Sequence, residues 1–322
     1  MFYISDKVVT KNGEQIAYLC KPGILDGYRI SDFKNIKKFV IGRFVKKIFV
    51  EKLYDYKVQE EYISVEKGNI RFKSIDGNLY SADGKTLIRY ATGKMDEEFT
   101  VPKGVTEIGE YAFCGCIWLK RINVGNEVGS IGKAAFKGCL GLKEFKIPEG
   151  VTKIEKDCFF GCSRLEDVVL PSSITEICDQ AFNDCINISK IEIPKATKVI
   201  GKWAFLRCGL NSGVVLNDGL KIIGEYAFNG CAFEDIKIPE TVVKIERCAF
   251  ANNVSLKTAV IFDGVVEMGE NIFENCREAN IFCGEKSKPK EWNYKWDNGI
   301  SGGFNSKRVT WGYEKAKKRE NS

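Results

Sequence analysis

A phenylalanine returns at a fixed interval through most of the chain: Phe113, Phe136, Phe159, Phe182, Phe205, Phe228, Phe250 and Phe273, 23 residues apart except for one step of 22. Two more columns keep the same phase. Five residues before each Phe stands Ile108, Ile131, Ile154, Ile177, Ile200, Ile223, Ile245 or Met268. Three residues after it comes Cys116, Cys139, Cys162, Cys185, Cys208, Cys231 or Cys276, with Asn253 in the remaining place. A Leu-x-x-Ile-x-Ile-Pro phrase completes the unit, as in Leu142, Phe145, Ile147 and Pro148, or in Ile188, Ile191, Ile193 and Pro194. A period of this length marks a solenoid: each repeat is too small to bury its own apolar face and becomes stable by stacking on its neighbours.

Within a repeat, Ile191 and Ile193 alternate with Glu192 at the period of a strand, so the isoleucines face inward and the glutamate faces solvent. Pro194 ends the strand because it has no N–H for the ladder. The Ile-Gly-x-x-Ala-Phe phrase places apolar residues at i, i+4 and i+5, which predicts a short helical turn. The expected fold is therefore an α/β repeat: a solenoid with a curved parallel β-sheet, short helical turns on the other side and β-hairpin insertions.

The template reaches back in weaker form through Leu25, Ile30, Phe33, Ile36, Phe39 and Ile41, then through Ile48, Leu53 and Tyr56. Residues 1–65 read as degenerate N-terminal repeats with a cap, including a hairpin from Phe2-Tyr3-Ile4 and Gln15-Ile16-Ala17-Tyr18 around Lys11-Asn12-Gly13. Residues 66–98 read as an inserted hairpin, with two apolar runs around Asp83-Gly84. Regular repeats occupy 99–283, an aromatic C-terminal cap 284–313 and a basic, disordered tail 314–322. No apolar stretch approaches the roughly 20 residues that span a bilayer. Met1 to Thr10 carry no signal-peptide pattern, so a cytoplasmic location is expected, with secretion or surface display as the alternative if a signal has been removed.

Several chemistries find no residues. The chain has no His, which removes the usual general base near neutral pH and every imidazole-dependent triad. No Gly-x-Ser-x-Gly elbow is present. Gly132-Lys133 matches the end of a phosphate loop, but Ala134 stands where Ser or Thr would bind magnesium. No cofactor and no metal are expected, and no catalytic residues are assigned.

The segments Ile108-Gly109-Glu110-Tyr111-Ala112-Phe113-Cys114-Gly115-Cys116 and Ile223-Gly224-Glu225-Tyr226-Ala227-Phe228-Asn229-Gly230-Cys231 resemble the repeat of BspA-like leucine-rich repeat proteins. The lead-in from Phe99 to Ile108, the Asp83-Gly84-Lys85 hairpin and the closing run from Trp292 through Trp296 to Trp311 and Tyr313 share the likeness. The resemblance implies a rod-like or horseshoe-like binding surface without catalytic residues, and for surface-exposed members attachment to host or partner proteins.

The thirteen cysteines read as a buried structural column, because free Cys packs as a small hydrophobe and leucine-rich repeats use Asn or Cys at one turn position. Disulfides between stacked turns and a metal site are the alternatives, the latter opposed by the lack of any Cys-x-x-Cys pair in the array. The aromatic run Trp292, Tyr294, Trp296, Trp311 and Tyr313 reads as a seal on the last turn, or else as a binding cluster.

Function is expected on the outward strand residues, held at regular spacing: Arg121, Asn123, Glu144, Lys146, Asp167, Val169, Lys190, Glu192, Val215, Lys237 and Val260. The reading is a non-enzymatic protein-binding scaffold, with an adhesin for host or matrix proteins as the alternative. The partner is a protein of unknown identity and a monomer is favoured. A run of cations, Lys34, Lys37, Lys38, Arg43, Lys46 and Lys47, has no acid between Asp32 and Glu51. It reads as a solvated face, or as a patch for phosphate backbones or an acidic partner.

Overall fold

The computed structural model describes residues 7–11, 14–19, 36–48, 59–297 and 308–313. Phe2-Tyr3-Ile4, Leu25, Ile30, Phe33, Lys34, Leu53, Tyr56 and the tail after Tyr313 lie outside the described residues. The chain divides into two compact units, one of residues 1–151 with 158–163 and one of residues 152–157 with 164–322.

In the first unit, β1 (Lys7–Lys11) pairs antiparallel with β2 (Glu14–Leu19), Lys11 opposite Glu14. β3 (Ile36–Ile41) and β4 (Tyr62–Val65) extend that sheet in parallel, with Ile36, Phe39 and Ile41 buried. An antiparallel meander follows: β5 (Phe72–Ile75), β6 (Asn78–Ser81) and β7 (Thr86–Arg89). It contains the expected turn at Asp83-Gly84, where Asp83 Oδ1 accepts from Ser81 Oγ at 2.6 Å and from the Lys85 N–H at 3.0 Å. It also contains a tighter one, Asp76-Gly77, with φ of 49° and 74° and Ile75 opposite Asn78. Positive φ at both central residues is the signature of the two-residue hairpin turn whose twist matches the strands.

The repeats then begin with β8 (Glu98–Thr100), β9 (Glu107–Ile108), β10 (Arg121–Asn123), β11 (Ser130–Ile131) and β12 (Glu144–Lys146). β8, β10 and β12 form one parallel ladder, called here the strand face, and β7, β9 and β11 form a second. Buried Arg89 ties the meander to the segment before β4 through an ion pair and to the first repeat through a backbone carbonyl. Arg89 Nε donates to Glu60 Oε1 at 2.7 Å, with further bonds to Thr92 Oγ1 at 3.1 Å and Cys114 O at 3.2 Å.

The second unit continues with β13 (Lys153–Ile154), β14 (Asp167–Val169), β15 (Glu176–Ile177), β16 (Ile191–Ile193), β17 (Val199–Ile200), β18 (Val214–Leu216) and β19 (Ile222–Ile223). It ends with β20 (Asp235–Ile238), β21 (Lys244–Ile245), β22 (Thr258–Ile261), β23 (Glu267–Met268), β24 (Asn280–Cys283) and β25 (Val309–Thr310). The odd strands β13 to β23 form one unbroken parallel ladder. The strand face comes in pieces, β16 with β18 and β20 with β22, β24 and β25.

The expected helical turns are absent: among the described residues no α-helix forms. Each Ile-Gly-x-x-Ala-Phe segment instead carries two left-handed residues four apart, such as Tyr111 (φ 55°) and Gly115 (φ 81°), or Trp203 (φ 57°) and Arg207 (φ 55°). Left-handed residues break a right-handed helix and turn alternate N–H groups toward the next repeat. Phe182, Asp184 and Gln180 donate to Ala204 O, Leu206 O and Lys202 O at 2.8, 2.9 and 2.9 Å. The segment is thus a third inter-repeat ladder made of turns.

This geometry stacks the phenylalanines. Rings of Phe113 and Phe136, and of Phe136 and Phe159, lie 5.2 and 5.1 Å apart in the first unit. In the second, Phe182, Phe205, Phe228, Phe250 and Phe273 follow at 5.2 to 5.6 Å with interplanar angles of at most 14°. The thiols beside them are donors: Cys139 Sγ points at Phe113 O (3.1 Å), Cys208 Sγ at Phe182 O (3.0 Å) and Cys276 Sγ at Phe250 O (3.2 Å). Asn253 occupies the same column and does the same work, its Nδ2 donating to Phe228 O at 2.9 Å and Phe250 O at 2.7 Å. None of the twelve described cysteines is in a disulfide.

Past the last repeat, Trp292 and Trp296 are buried and make a ring cluster with Trp311, while Tyr313 packs on Phe282 and Tyr294 stays exposed. The Asn271 and Ile272 N–H groups donate to Lys295 O and Trp296 O, so this segment takes up the bonds a further repeat would have made.

Candidate binding face

The strand residues alternate as a half-buried ladder requires: Ile122, Phe145, Ile191 and Ile236 point inward, and Arg121, Asn123, Glu144, Lys146, Asp167, Val169, Glu192, Val215 and Lys237 are exposed, as is Lys190 just before β16. Exposure does not make them equivalent. In the first unit the face pairs with itself. Arg121 bridges Glu98 at 2.7 Å and Glu144 at 2.5 Å, Lys120 pairs with Glu97, and Asn123 Nδ2 donates to Thr100 Oγ1 at 3.3 Å. Hydrogen bonding to Glu144 and the charges of Glu144 and Glu98 raise the Arg121 pKa above its ordinary value. Such exposed pairs add little stability, but they leave Lys146 as the candidate residue here without an ion pair among the described residues.

The second unit differs in part. Lys257 pairs with Glu234 at 2.7 Å, but Asp167, Lys190, Glu192 and Lys237 make no ion pair among the described residues, and Val169 and Val215 are 55% and 43% exposed. Val260 departs from expectation, being only 7% exposed. Its register neighbour in β24 is Phe282, on which Tyr313 packs, so the outward column is covered at this end.

Two clefts mark the second unit. One, of about 640 Å³, opens on the strand face and is lined by Asp167, Val169, Lys190 and Glu192 together with Lys195 and Asn217. Neither of the last two was flagged by the repeat: Lys195 follows the strand-ending proline and Asn217 follows β18, outside the alternating phrase. The other, of about 460 Å³, includes Glu225, Lys244, Glu246, Arg247 and Glu267. Its charges satisfy one another, with Lys244 at 3.3 Å from Glu246 and 3.2 Å from Glu267, and Arg247 at 3.9 Å from Glu225.

The basic run is dispersed by its strand. Lys37 pairs with Glu61, Lys38 lies 5.1 Å from the centre of the Tyr62 ring, and the Arg43 N–H donates to Glu66 at 3.0 Å with its guanidinium 5.8 Å from the centre of the Phe44 ring. Lys46 and Lys47 are exposed. Among the described residues no group of three His, Cys, Asp or Glu side chains could hold a metal ion, and no helix is long and apolar enough to cross a membrane.

Known proteins share this architecture. A leucine-rich repeat protein from Eubacterium ventriosum is similar at 26% identity and a TM-score of 0.52, over 67% of this chain and 59% of that one. This chain thus spans well under two thirds of that protein's length. A leucine-rich repeat protein from Bacteroides ovatus matches at 21% identity and a TM-score of 0.52, over 88% of this chain and 70% of that one, a likeness of fold alone. No curated protein matches the sequence. The family described as BspA type Leucine rich repeat region matches in six copies over residues 92–211 and 208–288, so the repeat of stacked Phe, thiol and strand described above is that family's repeat, and the chain belongs to it.

Proposed function

We propose that the chain is a non-enzymatic scaffold that binds a protein partner through the strand face of its second unit. The observation that carries this reading is the contrast in pairing among the candidate residues. In the first unit Arg121 and Glu144 are spent on each other and only Lys146 of the charged candidates stands unpaired among the described residues. In the second, although Lys257 pairs with Glu234, Asp167, Lys190, Glu192 and Lys237 all stand exposed and unpaired among the described residues, beside Val169 and Val215. Unpaired charges flanking exposed valines on a rigid ladder supply both steering and a desolvatable contact. The family supports the scaffold reading, since what matches is a repeat region.

The test is recovery of partners from the native cell with tagged protein. Asp167→Lys combined with Lys190→Glu should abolish recovery with a nearly unchanged melting temperature, while Lys146→Glu in the first unit should leave it intact. Recovery that survives the double reversal but disappears when Lys34, Lys37, Lys38, Arg43, Lys46 and Lys47 are neutralised would move the site to the basic N-terminal strands.

A further inference from the structure

The strand face of the second unit is interrupted at two places, between β14 and β16 and between β18 and β20, and the 640 Å³ cleft lies at the first. β15 and β17 pair in register, Glu176 with Val199 and Ile177 with Ile200, and the turns behind them are bonded from Phe182 N–H to Ala204 O at 2.8 Å. The strands in front, β14 and β16, do not pair, and among the described residues no backbone hydrogen bond joins them. Two repeats held together on two sides and parted on the third form a wedge, and the 640 Å³ cleft lies there.

The backbone in this wedge is unsatisfied in a definite direction. Ile191 donates its N–H to Gly213 O, and Ile191, Glu192 and Ile193 are in register with Val214, Val215 and Leu216 of β18. In a parallel ladder the backbone groups of successive residues point to opposite sides. The N–H and C=O of Glu192 therefore point away from β18 and into the cleft. This is an open strand edge inside a folded array, the feature to which an extended peptide adds by backbone hydrogen bonding.

Side chains at the edge specify what it takes. The repeat interval sets Val169 level with Glu192, and Asp167 level with Lys190. A lysine or arginine of a bound strand would lay its aliphatic stem on Val169 and bring its charge to Glu192. The position two residues earlier would sit between charges of opposite sign, where a small hydroxyl side chain fits better than either ion.

We infer that the gap between β14 and β16 is a docking site for an extended segment of a partner protein, which pairs with the β16 edge and places a basic side chain between Val169 and Glu192. This rests on the strand-face reading and narrows it to one site and one mode.

The probe is a capped hexapeptide, Val-Thr-Val-Lys-Val-Thr, followed by fluorescence anisotropy and amide hydrogen exchange on the full chain. In the free protein the Glu192 amide should exchange faster than those of Ile191 and Ile193, and the peptide should slow it. Replacing the peptide's lysine by glutamate, or Glu192→Lys in the protein, should weaken binding at least about tenfold, the step that one well-formed ion pair or hydrogen-bond set controls. Glu192→Pro, which removes the edge donor where strand proline is tolerated, should do the same with an unchanged melting temperature. No saturable binding, or a Glu192 amide as protected in the free protein as its neighbours, would overturn the site. If the peptide fails while partner recovery still depends on Asp167 and Lys190, docking by strand addition is wrong and the scaffold reading stands; if both fail, the face is not the binding surface.

Discussion

At the residue scale the repeat is defined by what its side chains do for the backbone of the preceding turn. Phe fills the core, and the thiol three residues later caps the carbonyl of the Phe one turn earlier. Phe182→Ala should cost about 3 to 5 kcal/mol, as a large aromatic is removed from a stack that cannot collapse onto the gap, whereas Glu192→Ala on the exposed face should change stability by less than about 0.5 kcal/mol. Equal small losses in denaturant unfolding would remove the Phe column as the spine. Asn253 sharpens the point. It satisfies two carbonyls but leaves its own Oδ1 buried without a partner. Asn253→Ala should cost about 1 to 3 kcal/mol because it orphans the carbonyls, while Asn253→Cys should be close to neutral. A Cys variant as damaging as the Ala variant would mean the column is selected for something other than this donor.

At the element scale the sequence was legible in its strands and misleading in its turns. Alternation of Ile and charged residues in Ile191 to Ile193 has one reading, and the structure follows it. The Ile-Gly-x-x-Ala-Phe phrase has an apolar spacing that a helix and a left-handed turn share, and Tyr111, Gln180, Trp203 and Tyr226 carry no glycine to announce positive φ. The signal lay four residues further on, where Gly115, Gly138, Gly161 and Gly230 adopt it. The distinction predicts opposite signs for one substitution. In a helix, Gln180→Gly would cost about 0.5 to 1 kcal/mol; at φ 58° it relieves a strain of about 1 to 2 kcal/mol and should leave stability unchanged or raise it. A clear loss in melting temperature would contradict the turn geometry. Gly224 is the counterexample: a Cβ there would meet the backbone of Gly201 and Lys202 at 2.7 and 2.8 Å, so Gly224→Ala should cost about 1 to 3 kcal/mol by overpacking. The candidate site divides along the same line. Which residues face outward could be read from period two, but the pairing of Arg121 with Glu98 and Glu144, the cover over Val260 and the gap at β14 depend on neighbours a full repeat away.

At the scale of the whole molecule the thiols act together, because they recur in both units and burial shifts them in one direction. Desolvation pushes the pKa of Cys114, Cys276 and Cys283 up to about 12 and raises those of Cys139, Cys208 and Cys231 as well. A folded pKa above the unfolded one means that the native chain holds its protons longer. Below the ordinary thiol value of 9.0 both states are protonated and stability does not depend on these groups. Above it the unfolded chain releases protons that the native chain keeps, so stability falls by about 1.4 kcal/mol per thiol for each pH unit until the folded pKa is reached. Six buried thiols with this shift make the fall steep. The melting temperature should be flat between pH 7 and about 8.5 and should drop sharply by about pH 10, more than the exposed lysine pairs can account for, given how weakly such pairs hold a fold. Cys208→Ala should lower the plateau through lost packing and make the alkaline descent shallower. An unchanged slope in that variant, or a wild-type melting temperature flat to pH 10.5, would show that the column does not bury ionisable thiols. Disulfides would give the same flat profile, and thiol titration after denaturation without reductant separates the two, since a fully reduced chain releases all thirteen thiols.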